Sequence, residues 1–228
     1  MIKELLQPLF QLIYPSLCLS CQTFEPINGS AFCLACEKEL PFISSAADAK
    51  VSLIGKDSFP GDVSNFYSLF YYTKEGLVAD MMHRLKYHGH YKTGRFLGSL
   101  LAERMAKEGN FREFIIVPVP IHIKRLRERG YNQALEIARG MQRKLDVPCC
   151  PDYLKREEYR VSQTTKGKDG RQNALNMSFK INPAYEHFNN ILLVDDVVTT
   201  GATIQACYRA LTKEGEANIS VATLGTSV

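Results

Sequence analysis

Short apolar runs alternate with longer amphipathic stretches along most of the chain after residue 60. Apolar and aromatic runs predict buried strands at 66–73, 114–120, 191–197 and 219–225, and the second of these ends at Pro118. Apolar residues at helical spacing predict helices at 77–86, 94–107, 132–145 and about 203–214. Strands that alternate with helices predict an α/β fold, with a parallel sheet covered by helices on both faces.

Two regions lack these patterns. Residues 40–65 are polar and rich in turn residues, which predicts a connector with short strands. This connector would join a small N-terminal module to a larger domain. We predict the module at residues 1–60 and the domain at residues 61–228. Residues 155–176 are strongly polar and contain TTKGKDGRQN, which predicts a long mobile loop.

The first residues, MIKELLQPLFQLIYPSLC, raise the question of a signal peptide or a membrane anchor. Gln7, Pro8 and Gln11 interrupt the apolar stretch, and no small-residue cleavage site follows. We therefore expect an amphipathic segment that packs onto the body of the protein. No apolar run approaches the roughly 18 residues that span a bilayer. A cytoplasmic protein is the resulting expectation, and disulfides are rare in that compartment.

Four cysteines near the start form two pairs with the spacing C-x2-C. They are Cys18, Cys21, Cys33 and Cys36, with eleven residues between the pairs. This spacing is typical of a structural Zn2+ site, in which each pair presents two sulfurs to one ion. Four reduced thiols or two disulfides are the alternatives. Because so small a segment cannot bury a core alone, the metal would supply its folding free energy.

The stretch ILLVDDVVTTGATI carries the most specific chemistry. Its apolar run predicts a strand buried on both faces, and Asp195 and Asp196 emerge at the end of that strand, where ligands of parallel sheets bind. Carboxylates suit sugar hydroxyls and Mg2+. The turn from Thr199 to Thr203 enters a helix, whose N-terminal amide groups bind phosphate. A ribose 5-phosphate fits both features. The alternative is an ordinary strand followed by a capped helix.

Basic residues follow the strand that ends at Pro118. Lys124, Arg125, Arg127 and Arg129 lie within six residues of one another. Guanidinium groups bind phosphate oxygens bidentately, and Arg125 and Arg129 would share one face of a helix. A solvated basic surface is the alternative. The net charge of +4 is compatible with an anionic ligand or a nucleic acid and does not choose between them.

The stretch ILLVDDVVTTGAT resembles the signature of type I phosphoribosyltransferases, which bind 5-phosphoribosyl-1-diphosphate (PRPP) with Mg2+. Three further segments resemble ComF-type proteins, in which a four-cysteine module precedes the phosphoribosyltransferase domain: LKYHGHYKTGRFLGSLLA, VPVPIHIKRLRERGYNQALEIAR and RVSQTTKGKDGRQNALNMSF. The resemblance covers nearly the whole chain. It implies a type I phosphoribosyltransferase fold with a hood and a flexible loop.

The resemblance also implies roles for individual residues. Asp195 and Asp196 would contact the ribose hydroxyls and, with Arg129, would be catalytic. The remaining PRPP-binding positions would be Thr199, Thr200, Gly201, Ala202, Thr203, Val119, Pro120, Arg125, Arg129 and Lys86. The loop that closes over PRPP would carry Arg160, Gln163 and Arg171.

Two functions are compatible with this resemblance. The first is a phosphoribosyltransferase with an unknown acceptor, linked to DNA uptake and other competence proteins. The second is a non-catalytic accessory protein that holds single-stranded DNA through the zinc module and the basic loops. The sequence leaves the acceptor and the oligomeric state open.

Overall fold

The computed structural model describes residues 17–23, 25–26, 30–53, 56–87, 91–157, 177–213 and 215–227. The strands of these residues are β1 (Phe66–Tyr72), β2 (Ile115–Pro118), β3 (Leu154–Glu157), β4 (Ser178–Ile181), β5 (Asn190–Val198) and β6 (Asn218–Ser227). Within this part of the chain, β1, β6, β5 and β2 form a parallel sheet in that order, and β3 pairs with β4 in an antiparallel hairpin.

Helices surround the sheet. They are α1 (Leu34–Glu39), α2 (Ala46–Val51), α3 (Leu77–Tyr87), α4 (Tyr91–Met105), α5 (Ile123–Arg129), α6 (Gln133–Leu145) and α7 (Ala202–Thr212). Among the described residues, no helix is both long enough and apolar enough to cross a membrane.

The sheet is buried on both faces, which confirms the predicted α/β architecture. Leu192 and Val194 of β5 belong to one core, which also contains the buried faces of α3, α4 and α6. Ile191 and Leu193 belong to a second core with α7, β4 and the start of β3. Because successive side chains of a strand point to opposite faces, a continuous apolar run is what a central strand requires.

The helices and strands predicted after residue 60 are confirmed, with small shifts at their ends. Helix α6 begins after Asn132, whose side-chain oxygen accepts a hydrogen bond from the amide of Ala134 at 3.1 Å. Helix α7 begins at Ala202, after Gly201, which has a left-handed backbone with φ of +83°. Helix α5 had no counterpart among the predicted elements.

One prediction was wrong, and the start of another needs correction. The connector contains a helix, α2, because Ser45 accepts a hydrogen bond from the amide of Asp48 and so caps its first turn. The predicted loop at 155–176 begins as a strand, since Lys155 pairs with Lys180 and Glu157 with Ser178. This hairpin stands apart from the main sheet, so it has no long apolar run to identify it. Residues 158–176 lie outside the described residues, as do residues 1–16 of the predicted amphipathic segment.

Helices α4 and α6 pack closely enough for backbone contact. A Cβ atom on Gly98 would overlap the carbonyl group of Ile137, and one on Gly140 would overlap that of Arg95. Next to this contact, the buried carboxylate of Glu136 accepts hydrogen bonds from Arg95 Nε and Arg139 Nη1, both at 2.5 Å. This packing fixes α6, and with it the loop that precedes α6.

We expect Gly140→Ala to lower the free energy of unfolding by about 1–3 kcal/mol, because the added methyl group forces α4 and α6 apart. Helix propensity alone would predict stabilisation, so the sign itself is informative. Urea denaturation measures the effect. Gly61→Ala is the matched control, since a Cβ there meets nothing within 4 Å, and a comparable loss in both variants would contradict the packing argument.

Candidate functional site

A cleft of about 410 Å³ opens where β2 and β5 end. Eleven of the predicted ligand-binding residues line it: Lys86, Val119, Pro120, Arg125, Arg129, Asp195, Asp196, Thr199, Thr200, Ala202 and Thr203. Gly201 lies behind this surface and is buried. Parallel strands bring their carboxyl ends to one edge, and this is why segments 70 residues apart in sequence meet here.

The acid pair lies within β5 rather than after it. Asp195 Oδ1 accepts a hydrogen bond from the amide of Asp196 at 2.8 Å, and Asp196 Oδ1 accepts one from the amide of Val197 at 2.7 Å. Lys86 Nζ lies 3.5 Å from Asp196 Oδ2. Burial, and then the charge of Asp196, raise the pKa of Asp195 above its ordinary value, although Lys86 opposes this shift. The pair is therefore short of positive charge and suited to a cation or to hydroxyl donors.

The turn before α7 is fixed by its glycine. The left-handed backbone of Gly201 is unfavourable for other residues, and a Cβ there would lie 2.8 Å from Cβ of Phe59. Thr199 and Thr200 are exposed, and Ser227 Oγ donates to the carbonyl oxygen of Thr199 at 3.1 Å. Gly201 offers no side chain to cap α7, so this helix N-terminus can accept an anion.

The loop after β2 is held by hydrogen bonds from the backbone and from Asn132. The amide of Val119 donates to the carbonyl oxygen of Val194 at 2.8 Å, which joins the loop to β5. Asn132 Nδ2 donates to the carbonyl oxygen of Val119 at 3.0 Å while its Oδ1 caps α6. His122 Nδ1 accepts from the amide of Lys124 and caps α5. The cations of α5 are thus placed beside the acids.

Arg129 is the best-anchored cation of α5. Its Nη1 donates to Gln133 Oε1 at 2.9 Å, and its guanidinium lies over the ring of Tyr87, 5.6 Å from the centroid. Its buried Nε has no hydrogen-bond partner among the described residues. Arg125 also lines the cleft but is exposed. The two arginines therefore offer donors toward the same space, as their spacing predicts.

Arg156, at the third position of β3, is a lining residue that the sequence did not single out. Its guanidinium lies over the ring of Phe179, 5.7 Å from the centroid. Burial lowers the pKa of Arg156, the charge of Arg125 lowers it further, and Asp195 opposes the shift. Arg156 lies in the segment predicted to be a loop. Its positive charge was the one sequence feature that could have suggested a role in binding an anion. The predicted lid residues Arg160, Gln163 and Arg171 lie outside the described residues.

The four cysteines converge, and their Sγ atoms all lie within 4.8 Å of one another. Cys21 Sγ is 3.9 Å from Cys33 Sγ, and Cys18, Cys33 and Cys36 are buried. Zn–S bonds of about 2.3 Å in a tetrahedron separate sulfurs by about 3.8 Å, so the cluster fits one Zn2+. The described cysteines form no disulfide.

The cysteine segment shares a core with the larger domain. Phe32, Cys33 and Leu40 are buried in the same cluster as Phe70 and Met82. The ring of Phe32 meets that of Phe70 edge-on, with centroids 6.5 Å apart. The expectation that a metal alone would supply the folding free energy of this segment therefore needs revision, because packing on the domain contributes as well.

The fold and the cleft agree with a comparison of the chain with family models. The model described as "Phosphoribosyl transferase domain" matches residues 132–226. The matched range contains the acid pair, the turn before α7, and Gln133. The chain therefore contains a phosphoribosyltransferase domain.

Three relatives show which phosphoribosyltransferase-domain proteins the chain is similar to. Competence protein F of Haemophilus influenzae is 33% identical over 62% of this chain and 64% of that protein. Competence protein ComFC of Bacillus subtilis is 30% identical over 64% of this chain and 58% of that protein, and ComFC of Streptococcus pneumoniae is 25% identical over 91% and 98%. The chain thus spans less than two thirds of the first two relatives. Its sequence is similar to those of ComF and ComFC proteins, as its motifs predicted.

A solved structure of an allosteric regulatory enzyme of purine biosynthesis also matches. The match covers 58% of this chain and 25% of the enzyme's chain, at 17% sequence identity and a TM-score of 0.38. A likeness of this size supports no argument about the site.

We expect the purified protein to contain roughly one Zn2+ per chain, and Cys33→Ser to contain much less, because a serine hydroxyl is a poor zinc ligand. Elemental analysis measures both. Cys150→Ser, which changes a partly buried cysteine outside the cluster, should keep its metal. A wild-type protein with far less than one zinc would contradict the assignment.

We expect Asp195→Asn to stabilise the ligand-free protein at pH 7 by about 1–3 kcal/mol, because the wild type must take up a proton at Asp195 when it folds, whereas the neutral amide of the variant needs none. The pKa of Asp195 is raised from 3.8 to about 8, so the wild type loses stability as pH rises between these values. The advantage of the variant should therefore shrink toward pH 4. Thermal unfolding at several pH values tests this. The exposed Asp57 provides a control as Asp57→Asn, and an advantage for Asp195→Asn that does not change with pH would refute the explanation.

Proposed function

We propose that the cleft binds PRPP with Mg2+ and that the protein transfers the phosphoribosyl group to an acceptor. One observation carries this proposal. The acid pair of β5, the N-terminus of α7 and the cations Lys86, Arg125, Arg129 and Arg156 all line a single cleft. A ligand with hydroxyls between two phosphate groups matches this order of chemistry.

The ribose would lie at Asp195 and Asp196. Each carboxylate uses its Oδ1 to accept a backbone amide. Asp195 Oδ2 would therefore accept a ribose hydroxyl, and Asp196 Oδ2 would share a hydroxyl with Lys86 Nζ, which lies 3.5 Å away. The 5-phosphate would lie at the start of α7, where Thr200 and Thr203 add hydroxyl groups and the left-handed backbone of Gly201 shapes the turn. The helix dipole favours the negative charge there.

The diphosphate would lie along the loop after β2. Val119 and Pro120 line this side of the cleft, and Arg125 and Arg129 follow on α5. The buried Nε of Arg129 lacks a hydrogen-bond partner among the described residues, so a phosphate oxygen would satisfy it. Arg156 would add a third cation from the β3–β4 hairpin.

The residues present also fit Mg2+. Two neighbouring carboxylates, of which Asp195 has a raised pKa, provide hard oxygen ligands and gain stability when a cation approaches. When bound, Mg2+ would supply positive charge against the diphosphate.

In the transfer step, the nucleophile of the acceptor would form a bond to C1 of the ribose while the bond from C1 to the diphosphate breaks. The chain's part is electrostatic. Arg125, Arg129 and Arg156 stabilise the charge that develops on the departing diphosphate, and the carboxylates hold the ribose in place. The proton that the nucleophile gives up on attack would pass to the departing diphosphate. Tyr72 and Lys86 line the cleft as well, and an acceptor would approach the ribose beside them.

A role in DNA uptake is part of the proposal, because the relatives bear the name of competence proteins. Binding of single-stranded DNA is the second candidate function. The exposed side chains of Lys124, Arg125 and Arg127 on α5 favour it. Retention of single-stranded DNA that weakens steeply with salt would identify this function, and no retention at low salt would exclude it.

We expect calorimetric titration of the protein with PRPP and Mg2+ to show binding, and Asp195→Asn and Asp196→Asn to weaken it by about tenfold or more, because each removes charge from the ribose and metal site. Acceptor candidates are then tested as a panel of bases and amines while diphosphate release is followed.

Asp152→Asn is the matched control, since Asp152 is an exposed acid outside the cleft. The proposal fails if PRPP produces no heat with the wild type, or if both cleft variants bind it as tightly as the wild type does.

A further inference from the structure

Helix α3 lies between the four-cysteine cluster and the cleft, and its last turn contacts both. Arg84 Nη2 donates to the carbonyl oxygen of Leu19 at 2.9 Å and also to that of Ser20. Both carbonyl groups belong to the turn between Cys18 and Cys21. A half-buried side chain of the larger domain is therefore attached to the first cysteine pair.

The next two residues of the same turn contact the loop before α6 and the acid pair. The carbonyl oxygen of Leu85 accepts a hydrogen bond from the hydroxyl group of Tyr131, which precedes the loop-anchoring residue Asn132. Lys86 Nζ lies 3.5 Å from Asp196 Oδ2. Three consecutive residues thus join the cysteine segment, the loop before α6 and the acid pair.

These contacts depend on one another. The donors of a guanidinium form a rigid fork, so Arg84 can hold two carbonyl groups only when the turn between Cys18 and Cys21 keeps its path. That path is what a metal bound to the cysteines would fix. The side chains of Met81, Met82 and Leu85 are buried in the same core as Cys18 and Phe32, so a shift of the turn also reaches α3 through packing.

We propose that Arg84 is a positioning residue that couples the metal state of the four-cysteine cluster to the cleft. With metal bound, the turn between Cys18 and Cys21 holds Arg84, and the last turn of α3 keeps Lys86 beside Asp196. Loss of metal releases Arg84 and loosens that turn. The consequence for ligand affinity rests on the proposed function, whereas the coupling itself does not. By linkage, a ligand in the cleft strengthens metal binding by the same factor.

Hydrogen exchange on the full chain tests the coupling without any ligand. We expect removal of zinc with a chelator to speed amide exchange in wild-type residues 85–87 and 195–197. In zinc-loaded Arg84→Met, the same amides should already exchange faster than in the zinc-loaded wild type. Removal of zinc from this variant should therefore raise their exchange rates only a little further. Arg84→Lys, which keeps a donor, should lie between the two proteins.

The control is Arg112→Met, which makes the same change at an exposed arginine before β2. It should behave as the wild type does. The coupling is overturned if zinc removal leaves the exchange of 85–87 unchanged in the wild type, or if zinc-loaded Arg84→Met exchanges like the wild type. Loss of zinc from Arg84→Met would make Arg84→Lys the deciding variant.

Titration with PRPP and Mg2+ tests the consequence. Zinc-loaded Arg84→Met should bind about fivefold or more weakly than the wild type. Lys86→Met should also weaken binding, and adding Arg84→Met to it should weaken binding no further, since Arg84 acts through Lys86. Fully additive losses would contradict this route. If the wild type does not bind PRPP, the proposed function fails, while the exchange experiment still decides whether Arg84 couples the two sites.

Discussion

The site depends on one electrostatic constraint, the placement of two neighbouring carboxylates in β5 directly after the part of that strand that is buried on both faces. Residues 191–194 are fully buried, and β2 pairs with β5 only as far as Val194, so Asp195 and Asp196 lie where the cleft begins. Burial, and then the charge of Asp196, raise the pKa of Asp195, and only Lys86 forms a described ion pair with the acids. The folded protein therefore holds an arrangement that costs stability when the cleft is empty and that a cation or hydroxyl ligand relieves.

The remaining parts of the cleft are held by the backbone more than by the charged groups themselves. The hydrogen bond from the amide of Val119 to Val194 ties the loop after β2 to the acid-bearing strand. Asn132 joins that loop to α6, and α6 is fixed by its close packing on α4. Charged side chains can then be presented toward the ligand without having to hold the loops together, which is how a preorganised binding site is built.

The cysteine segment is part of the same physical system. Its aromatic residue Phe32 lies in the core of the larger domain, and Arg84 connects its first turn to the helix that carries Lys86. A metal bound there would stabilise a segment that also packs on the core of the larger domain, in contrast to zinc modules that fold alone. The boundary predicted near residue 60 therefore separates two stretches of sequence that share one core.

The sequence by itself determined the central strands, most helices, the acid pair, the glycine turn and the cysteine spacing. Each of these is local, since a continuous apolar run, a helical period or a pair of C-x2-C motifs is complete within a few residues. Tertiary structure alone decided that β3 is a strand, that Arg156 faces the acids, that Lys86 meets Asp196 and that Arg84 meets the cysteine turn. These depend on contacts between residues distant in sequence, and a polar side chain carries no periodic pattern that tells which distant partner it will find.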